Sequence, residues 1–296
     1  MIIKSSLIES IGNGLSAALG EAIHPQWVRS LPGGDINNAG LIRSGSTRWF
    51  IKLHQNAPAG MFAAEAQALK EISEQGCIKV PNAIAQGSHG DTSWLVLEYL
   101  ELTSSGPAAL LGEQLAALHG ITRKQYGWNR DNYIGSTPQC NTYGKEWTAF
   151  WRDCRLKPQL ELAQTSGHGS RLMSKGDILL ECLDQFMDDR QPAASLLHGD
   201  LWAGNKAYTT DGRPVIFDPA SYYGDRETDI AMTELFGGFE QSFYSAYQSC
   251  LPLSDSYRLR RDLYNLYHML NHLNLFGSGY HSRCVSIIDK LLAEVC

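Results

Sequence analysis

The chain changes character once, just past residue 100, and no other feature limits its fold so much. Before that point short apolar runs alternate with turn clusters; beyond Thr103-Ser104-Ser105-Gly106-Pro107 the apolar residues recur at helical spacing. Runs at 26–31, 39–44 and 48–53 are parted by Pro32-Gly33-Gly34 and Ser44-Gly45-Ser46, the punctuation of an antiparallel meander. Two more strands are expected at 82–86 and 94–100, the second apolar nearly throughout, as a strand covered on both faces requires. A helix at 59–75 is inserted among them, and Ile3, Leu7, Ile11, Leu15 and Leu19, four apart, predict an opening helix. The expected architecture is α+β: residues 1–102 form a small lobe with a five-stranded antiparallel sheet plus helix, and residues 103–296 a large, mainly helical lobe. Helices of the second lobe are expected at 108–119, 142–164, 174–188 and from 227 onward, broken by a hairpin at 206–209 and 214–217 about Thr210-Asp211-Gly212-Arg213. A length of 296 residues accommodates two such lobes at roughly 150 residues per domain.

Charge and cysteine usage narrow the partners. The 25 Lys and Arg against 31 Asp and Glu leave a formal charge of -6, so no basic field draws in nucleic acid. No run approaches about 18 apolar residues, and the start of the chain lacks a basic segment followed by an apolar one, so neither a membrane span nor an export signal is expected. The seven cysteines are scattered and include no C-x-x-C pair, which favours reduced thiols in the cytoplasm over a zinc site or a disulfide framework.

The densest chemistry lies at Leu196-Leu197-His198-Gly199-Asp200-Leu201-Trp202-Ala203-Gly204-Asn205, an apolar strand that runs into an aspartate with an asparagine five residues on. Phosphoryl transfer asks for a carboxylate that accepts the proton of the attacking hydroxyl, and for oxygen donors that hold Mg²⁺ against the phosphates. Asp200 fits the first role and Asn205 the second. The hairpin that follows returns the chain so that Asp218, after Val215-Ile216-Phe217, ends at the same edge as Asn205, giving a hard cation two oxygen ligands. Each residue alone is an ordinary turn or strand-end residue. Their joint spacing favours the proton and metal roles.

Lys52 lies in Trp49-Phe50-Ile51-Lys52-Leu53, where Trp49, Ile51 and Leu53 share one face and Phe50 and Lys52 the other. A lysine in such a strand needs an anion. Glu65 offers one, because Phe62, Glu65, Leu69 and Ile72 form a helical stripe that sets a carboxylate among apolar neighbours. The pair matches the lysine and glutamate that position nucleotide phosphates in kinases; the alternative is a snorkelling lysine and a glutamate at the helix rim. Gly33 and Gly34, between the first two strands, occupy the place where backbone N–H groups cover phosphates, although a plain hairpin turn explains that loop equally well. Leu97-Glu98-Tyr99-Leu100 leads into the linker, and the backbone of Glu98 and Leu100 is the expected adenine contact. Asp225, Thr228 and Asp229 each suit a helix N-cap. His268 and His272, four apart, read as packing histidines, since Met269 stands where a zinc helix needs its glutamate.

With these residues in place the chain resembles the fructosamine and ketosamine 3-kinase family, within the wider aminoglycoside phosphotransferase and choline kinase superfamily. The likeness runs through Gly33-Gly34-Asp35-Ile36-Asn37, Tyr126-Gly127-Trp128, Asp131-Asn132-Tyr133-Ile134-Gly135, 198–205, Phe217-Asp218-Pro219-Ala220, 224–229, Leu235-Phe236-Gly237-Gly238-Phe239 and 263–272, nearly the whole chain. It implies a bilobal protein-kinase-like fold and ATP-dependent phosphorylation of the 3-hydroxyl of a ketosamine, the adduct of a sugar on an amine, after which the adduct falls apart and the amine is restored. It also implies Asp200 as the base, Asn205 and Asp218 as Mg²⁺ ligands, Lys52 with Glu65 as the phosphate clamp, and Asp229 as a structural carboxylate that steadies the catalytic loop. Trp202, just beyond the base, is a candidate either for stacking on the sugar or for packing. Asp35 stands where some relatives carry a cysteine, so a disulfide-linked switch at that loop is not expected here. The implied partner is a small ketosamine or a glycated protein lysine, with no nucleic acid or membrane. Two other readings compete. A kinase of the same architecture acting on an aminoglycoside, choline or a free sugar calls for acidic residues or an aromatic cage at the acceptor. A binding module without activity is opposed by the filled base and metal positions.

Overall fold

The computed structural model describes residues 4–31, 37–187 and 191–295. They form two compact units, one built from the chain up to Pro107 together with Gly204–Pro219, the other from Ala108–Ala203 and the chain after Pro219.

The first unit opens with α1 (Ser5–Leu19) and then lays down β1 (Gln26–Leu31), β2 (Asn38–Ser44), β3 (Thr47–Gln55), α2 (Met61–Gln75), β4 (Ala83–His89) and β5 (Thr92–Glu98). The strands make one antiparallel sheet in the order β1-β2-β3-β5-β4. This is the expected five-stranded sheet with an inserted helix. Leu7, Ile11 and Leu15 of α1 pack with Ile42, Trp49, Ile51, Leu53, Trp94 and Val96 on one face of the sheet. Each side chain of that size buried from water contributes about 1.5–3 kcal/mol. Gly14, a weak helix former inside α1, is explained by the same contact: a β-carbon there would stand 2.3 Å from the Trp94 ring, so only glycine lets the indole lie against the helix. Because Trp49, Ile51 and Leu53 face this core, Lys52 is delivered to the opposite face, toward α2, whose Phe62, Leu69 and Ile72 are buried.

The hairpin Lys206–Thr209 and Pro214–Ile216 groups with the first unit, although the sequence divides the chain at 102/103 and assigns the hairpin to the helical part. The reason is a strand pairing that local periodicity does not announce. The short strand β6 (Leu102–Thr103) pairs with the hairpin through Tyr208↔Thr103 and Thr209↔Leu102, and Ile216 N–H donates to the Lys79 carbonyl at 3.0 Å. Asn205 and Asp218, at the two ends of the hairpin, are thereby fixed in the unit that carries Lys52.

The second unit is mainly helical: α3 (Ala108–His119), α4 (Trp147–Trp151), α5 (Lys157–Thr165), α6 (Ser170–Glu181), α7 (Glu227–Leu235), α8 (Gln241–Cys250), α9 (Tyr257–Phe276) and α10 (His281–Val295). Its strands are short: Ala194–Leu196 lies between Thr122–Arg123 and Tyr223–Gly224, and Asn132–Ile134 forms a hairpin with Thr137–Gln139. That second hairpin was open to prediction, since Gly135-Ser136 between two strand-like runs is a two-residue turn and Gly135 takes φ 62°. The helix expected at 142–164 is two helices joined by a π-helical turn, Arg152–Leu156. The fully buried Arg155 in that turn donates through its two terminal nitrogens to the carbonyls of Cys140 and Cys154 and to Asn141 Oδ1, and stacks on Tyr222 at 3.9 Å, so the turn partners both ends of an interior guanidinium. Among the described residues no helix is long and apolar enough to cross a membrane.

Candidate active site

In the first unit the Lys52 ammonium is buried and donates to Glu65 Oε1 at 2.6 Å and to Asp218 Oδ1 at 2.5 Å. The alternation of β3 aims Lys52 at α2, the helical stripe turns Glu65 back toward it, and the hairpin supplies Asp218. Burial works against the Lys52 charge, but the Asp218 and then the Glu65 carboxylate outweigh it and raise its pKa above the ordinary lysine value. Burial raises the pKa of Glu65, with Lys52 pulling the other way. The lysine is thus not a snorkelling surface residue; it holds two carboxylates from distant parts of the sequence.

Asn205 is buried and closes a 3₁₀ turn, and its carbonyl accepts the Phe217 N–H at 3.1 Å. Asp218 follows with φ 61°, a left-handed conformation that aspartate tolerates better than most residues, and its side chain remains 37% exposed. The two side chains offer oxygen donors only, the kind a hard divalent cation takes. Among the described residues no three His, Cys, Asp or Glu side chains cluster as a metal cage. One carboxylate and one amide suit Mg²⁺, which usually completes its shell with water and substrate phosphate.

Glu98 uses its carboxylate on Lys79 (3.1 and 3.2 Å) and on Asn82, and its N–H donates to the Asn82 carbonyl at 2.8 Å. Of the backbone groups expected to meet adenine, this N–H is therefore already engaged, while Leu100 has no backbone hydrogen bond among the described residues. Gly33 and Gly34 lie outside the described residues.

In the second unit the segment His198-Gly199-Asp200 is held by Asp229, in the first turn of α7 and almost wholly buried. Asp229 Oδ2 accepts the His198 N–H at 2.7 Å and Oδ1 the Gly199 N–H at 2.8 Å. His119 Nε2 adds a third contact at 3.1 Å. Its Nδ1 meets the Tyr247 hydroxyl at 2.8 Å, which in turn accepts from Arg226 Nη1 at 2.9 Å. Burial works to raise the pKa of Asp229, but the hydrogen bond from His119, the electrostatic influence of His119 and His198 and the Gly199 N–H outweigh it and lower the pKa. Gly199 is obligatory here: its φ is 84°, and a β-carbon would lie 2.2 Å from the Ala220 carbonyl oxygen. Asp200 follows, its N–H donating to His198 Nδ1 at 3.2 Å and its carboxylate oxygen Oδ1 4.0 Å from His268 Nδ1. Trp202 is 37% exposed and meets Phe236 edge-on at 6.1 Å; Phe236 in turn lies 5.0 Å from His272.

His119, Arg226 and Tyr247 escaped the sequence reading. His119 ends an apolar helix, an ordinary position for a histidine, and nothing local ties it to an aspartate 110 residues away. Asp225, read as an N-cap, does accept the Glu227 N–H at 3.1 Å, but it is fully buried and also accepts from the Tyr264 hydroxyl at 2.7 Å.

A sheet that carries such a lysine, followed by an aspartate loop on a helical unit, is the make-up of the kinase-like phosphotransferases. An aminoglycoside phosphotransferase in ternary complex with AMP-PNP and hygromycin B shares this fold, with a TM-score of 0.61 over 95% of this chain and 98% of that one at 15% identity. The fructosamine kinase family model matches residues 7–294, and the chain belongs to that family. A Synechocystis protein named "Probable ketoamine kinase" is 42% identical over 96% of both chains. The chloroplastic protein-ribulosamine 3-kinase of Arabidopsis thaliana is 41% identical over 92% of this chain and 85% of its own. A crystal structure of a Haemophilus somnus protein assigned as a fructosamine-3-kinase superposes with a TM-score of 0.88 at 28% identity, covering 95% of this chain and 96% of that one.

Proposed function

We propose that the protein is an ATP-dependent kinase that phosphorylates the 3-hydroxyl of ketosamines, on small amines or on protein lysines. The observation that carries the reading is the full-length match to a family whose relatives at about 40% identity are named ketoamine kinase and protein-ribulosamine 3-kinase. The likeness to an aminoglycoside phosphotransferase at 15% identity extends to the fold alone, so the substrates of that class are not favoured.

In this reading Lys52, braced by Glu65, holds the nucleotide phosphates, and the backbone at Leu100 and the Glu98 carbonyl meet adenine. Asn205 and Asp218 would hold Mg²⁺; Lys52 contacts only Oδ1 of Asp218, which leaves Oδ2 for the metal. When bound, the cation neutralises charge on the phosphate oxygens. Asp200 accepts the proton of the 3-hydroxyl as its oxygen attacks the terminal phosphorus. Asp229 acts through the loop, fixing the N–H groups before Asp200. Once C3 bears phosphate, enolisation of the C2 carbonyl toward C1 makes that phosphate allylic; it departs, and hydrolysis of the C1 imine frees the amine. The consequence is deglycation. A cytoplasmic location belongs to this reading as well, although a chloroplastic protein stands among the relatives.

ADP release measured with fructosamine, ribulosamine, erythrulosamine, an aminoglycoside and choline tests the substrate class. Turnover confined to the ketosamines is expected, and turnover confined to the last two overturns the reading. Asp218→Asn is expected to raise the Mg²⁺ concentration for half-maximal rate on the order of tenfold or more, because one charged ligand is lost, with partial rescue at high Mg²⁺. An unchanged Mg²⁺ dependence makes Asp218 a strand cap. Trp202→Ala is expected to raise KM for a ketosamine while sparing KM for ATP and the melting temperature, since a ring exposed to this extent is not core. Trp202→Phe should recover part of the loss. A large drop in stability with an unchanged ketosamine KM marks a packing residue instead.

A further inference from the structure

His268, on the buried face of α9, is only 4% exposed, and its imidazole forms no hydrogen bond among the described residues. The ring nitrogens are nonetheless not among the polar atoms sealed from solvent without a partner, so beside a reacting group they are open to a ligand. One aromatic neighbour packs on the ring, and the backbone beneath it is tied down. Tyr267 packs edge-on at 5.2 Å and anchors its own hydroxyl on Gln139 Oε1 at 2.7 Å, while one helical turn on, His272 Nδ1 donates to the His268 carbonyl at 2.8 Å.

Burial and the groups around the imidazole together set its protonation. Burial is the largest influence and lowers its pKa; His272 and Arg155 lower it further, Asp229 pulls the other way, and the value falls to about 3. Asp200, 4.0 Å away, is the remaining carboxylate that faces it. At neutral pH the ring is therefore uncharged, with one N–H donor and one bare nitrogen acceptor. It neither neutralises Asp200 as an ion pair nor hydrogen-bonds it directly, because 4.0 Å is beyond hydrogen-bond range.

That gap has the dimensions of a specific ligand feature. Three sides of about 2.8 Å, from Asp200 Oδ1 to a hydroxyl oxygen, on to a neighbouring hydroxyl oxygen, and back to His268 Nδ1, close over a base of 4.0 Å. We propose that His268 is a specificity-determining residue that hydrogen-bonds the sugar hydroxyl next to the one whose proton Asp200 accepts, so that the acceptor site reads a vicinal diol and not a lone alcohol. The inference rests on the ketosamine-kinase reading and deepens it. In a ketosamine the carbonyl occupies C2, so the hydroxyl adjacent to the reacting one is that on C4. A substrate with a single hydroxyl, such as choline, leaves the imidazole unpaired and is disfavoured on that ground, with no need for a steric block.

The test compares a ribulosamine with its 4-deoxy analogue on wild-type enzyme, His268→Ala and His268→Gln, with KM and kcat for both sugars, KM for ATP and the melting temperature measured on each preparation. For the wild type, loss of the 4-hydroxyl is expected to lower kcat/KM about tenfold, the worth of one neutral hydrogen bond. His268→Ala should lose a similar factor with the full substrate, keep its KM for ATP, and show less than a twofold further loss with the 4-deoxy sugar. His268→Gln, which still donates and accepts, should recover part of the discrimination. A 4-deoxy penalty in His268→Ala as large as in the wild type, or no penalty in the wild type, overturns the assignment while leaving ketosamine kinase activity standing. Wild-type enzyme inert toward both sugars overturns the ketosamine reading and this assignment together. If His268→Ala does not fold, the same comparison on His268→Gln decides: a penalty reduced from that of the wild type supports the assignment, and an undiminished one with raised ketosamine KM contradicts it.

Discussion

Asp200→Asn is expected to lower kcat for a ketosamine by about 10²- to 10⁴-fold, the range that a general base contributes, while KM for ATP and the melting temperature stay close to those of the wild type. The separation follows from where the carboxylate sits. The backbone N–H of Asp200 is tied to His198 Nδ1, but the side chain is partly exposed and takes no part in the Asp229 contacts that hold the loop. Amide for carboxylate therefore removes a proton acceptor and little structure. Steady-state kinetics over a range of ATP and ketosamine concentrations measures both quantities, and normal turnover by the variant removes Asp200 from the role of base.

Asp229→Ala is expected to destabilise the protein by about 3–5 kcal/mol, as breaking a buried charged network does. It strands the His198 and Gly199 N–H groups and the His119 ring at once, and in a buried site each lost partner costs the full desolvation of the group left behind. Activity should fall with stability, since the same N–H groups fix the segment before Asp200. The pH dependence has a definite sign. The folded pKa of Asp229 is depressed, so its contribution is fully present above the unfolded aspartate value of about 3.9 and is lost as pH falls through the lower folded value. Urea midpoints measured from neutral pH down through that window should show an acid-side loss for the wild type that is smaller in Asp229→Asn. Equal acid limbs in the two proteins would locate the protonation elsewhere.

How much of this was legible beforehand depends on whether a feature is local. The alternation Trp49, Ile51, Leu53 against Phe50, Lys52 states which way Lys52 points, and the stripe through Phe62, Glu65 and Leu69 states which way Glu65 points; the ion pair at 2.6 Å follows from two periodicities. Asp218 was legible as the end of a hairpin opposite Asn205, but its bond to Lys52, across 166 residues of sequence, was not. The hairpin's union with the sheet-bearing unit depends on two residues of β6, too few to leave a pattern. The interior of the helical unit was harder still. Arg155 looks like a solvent-facing arginine until the carbonyls of Cys140 and Cys154 and the ring of Tyr222 are seen around it. The chain Arg226, Tyr247, His119, Asp229 joins three helices, and no spacing within any one of them announces it. His268 carries the same lesson: as a helix residue it reads as packing, and only its missing partner beside Asp200 gives it a role.

The central claim is that Asp200 directs the terminal phosphate of ATP to one hydroxyl of a ketosamine. The most direct measurement is ³¹P and ¹H NMR of the product formed from a ribulosamine, MgATP and the purified protein. A single new phosphomonoester, its phosphorus coupled to the proton on C3, followed by slow appearance of inorganic phosphate and free amine, is the predicted result. ATP consumption with phosphate on any other carbon, or a ribulosamine recovered unchanged beside intact ATP, would contradict it.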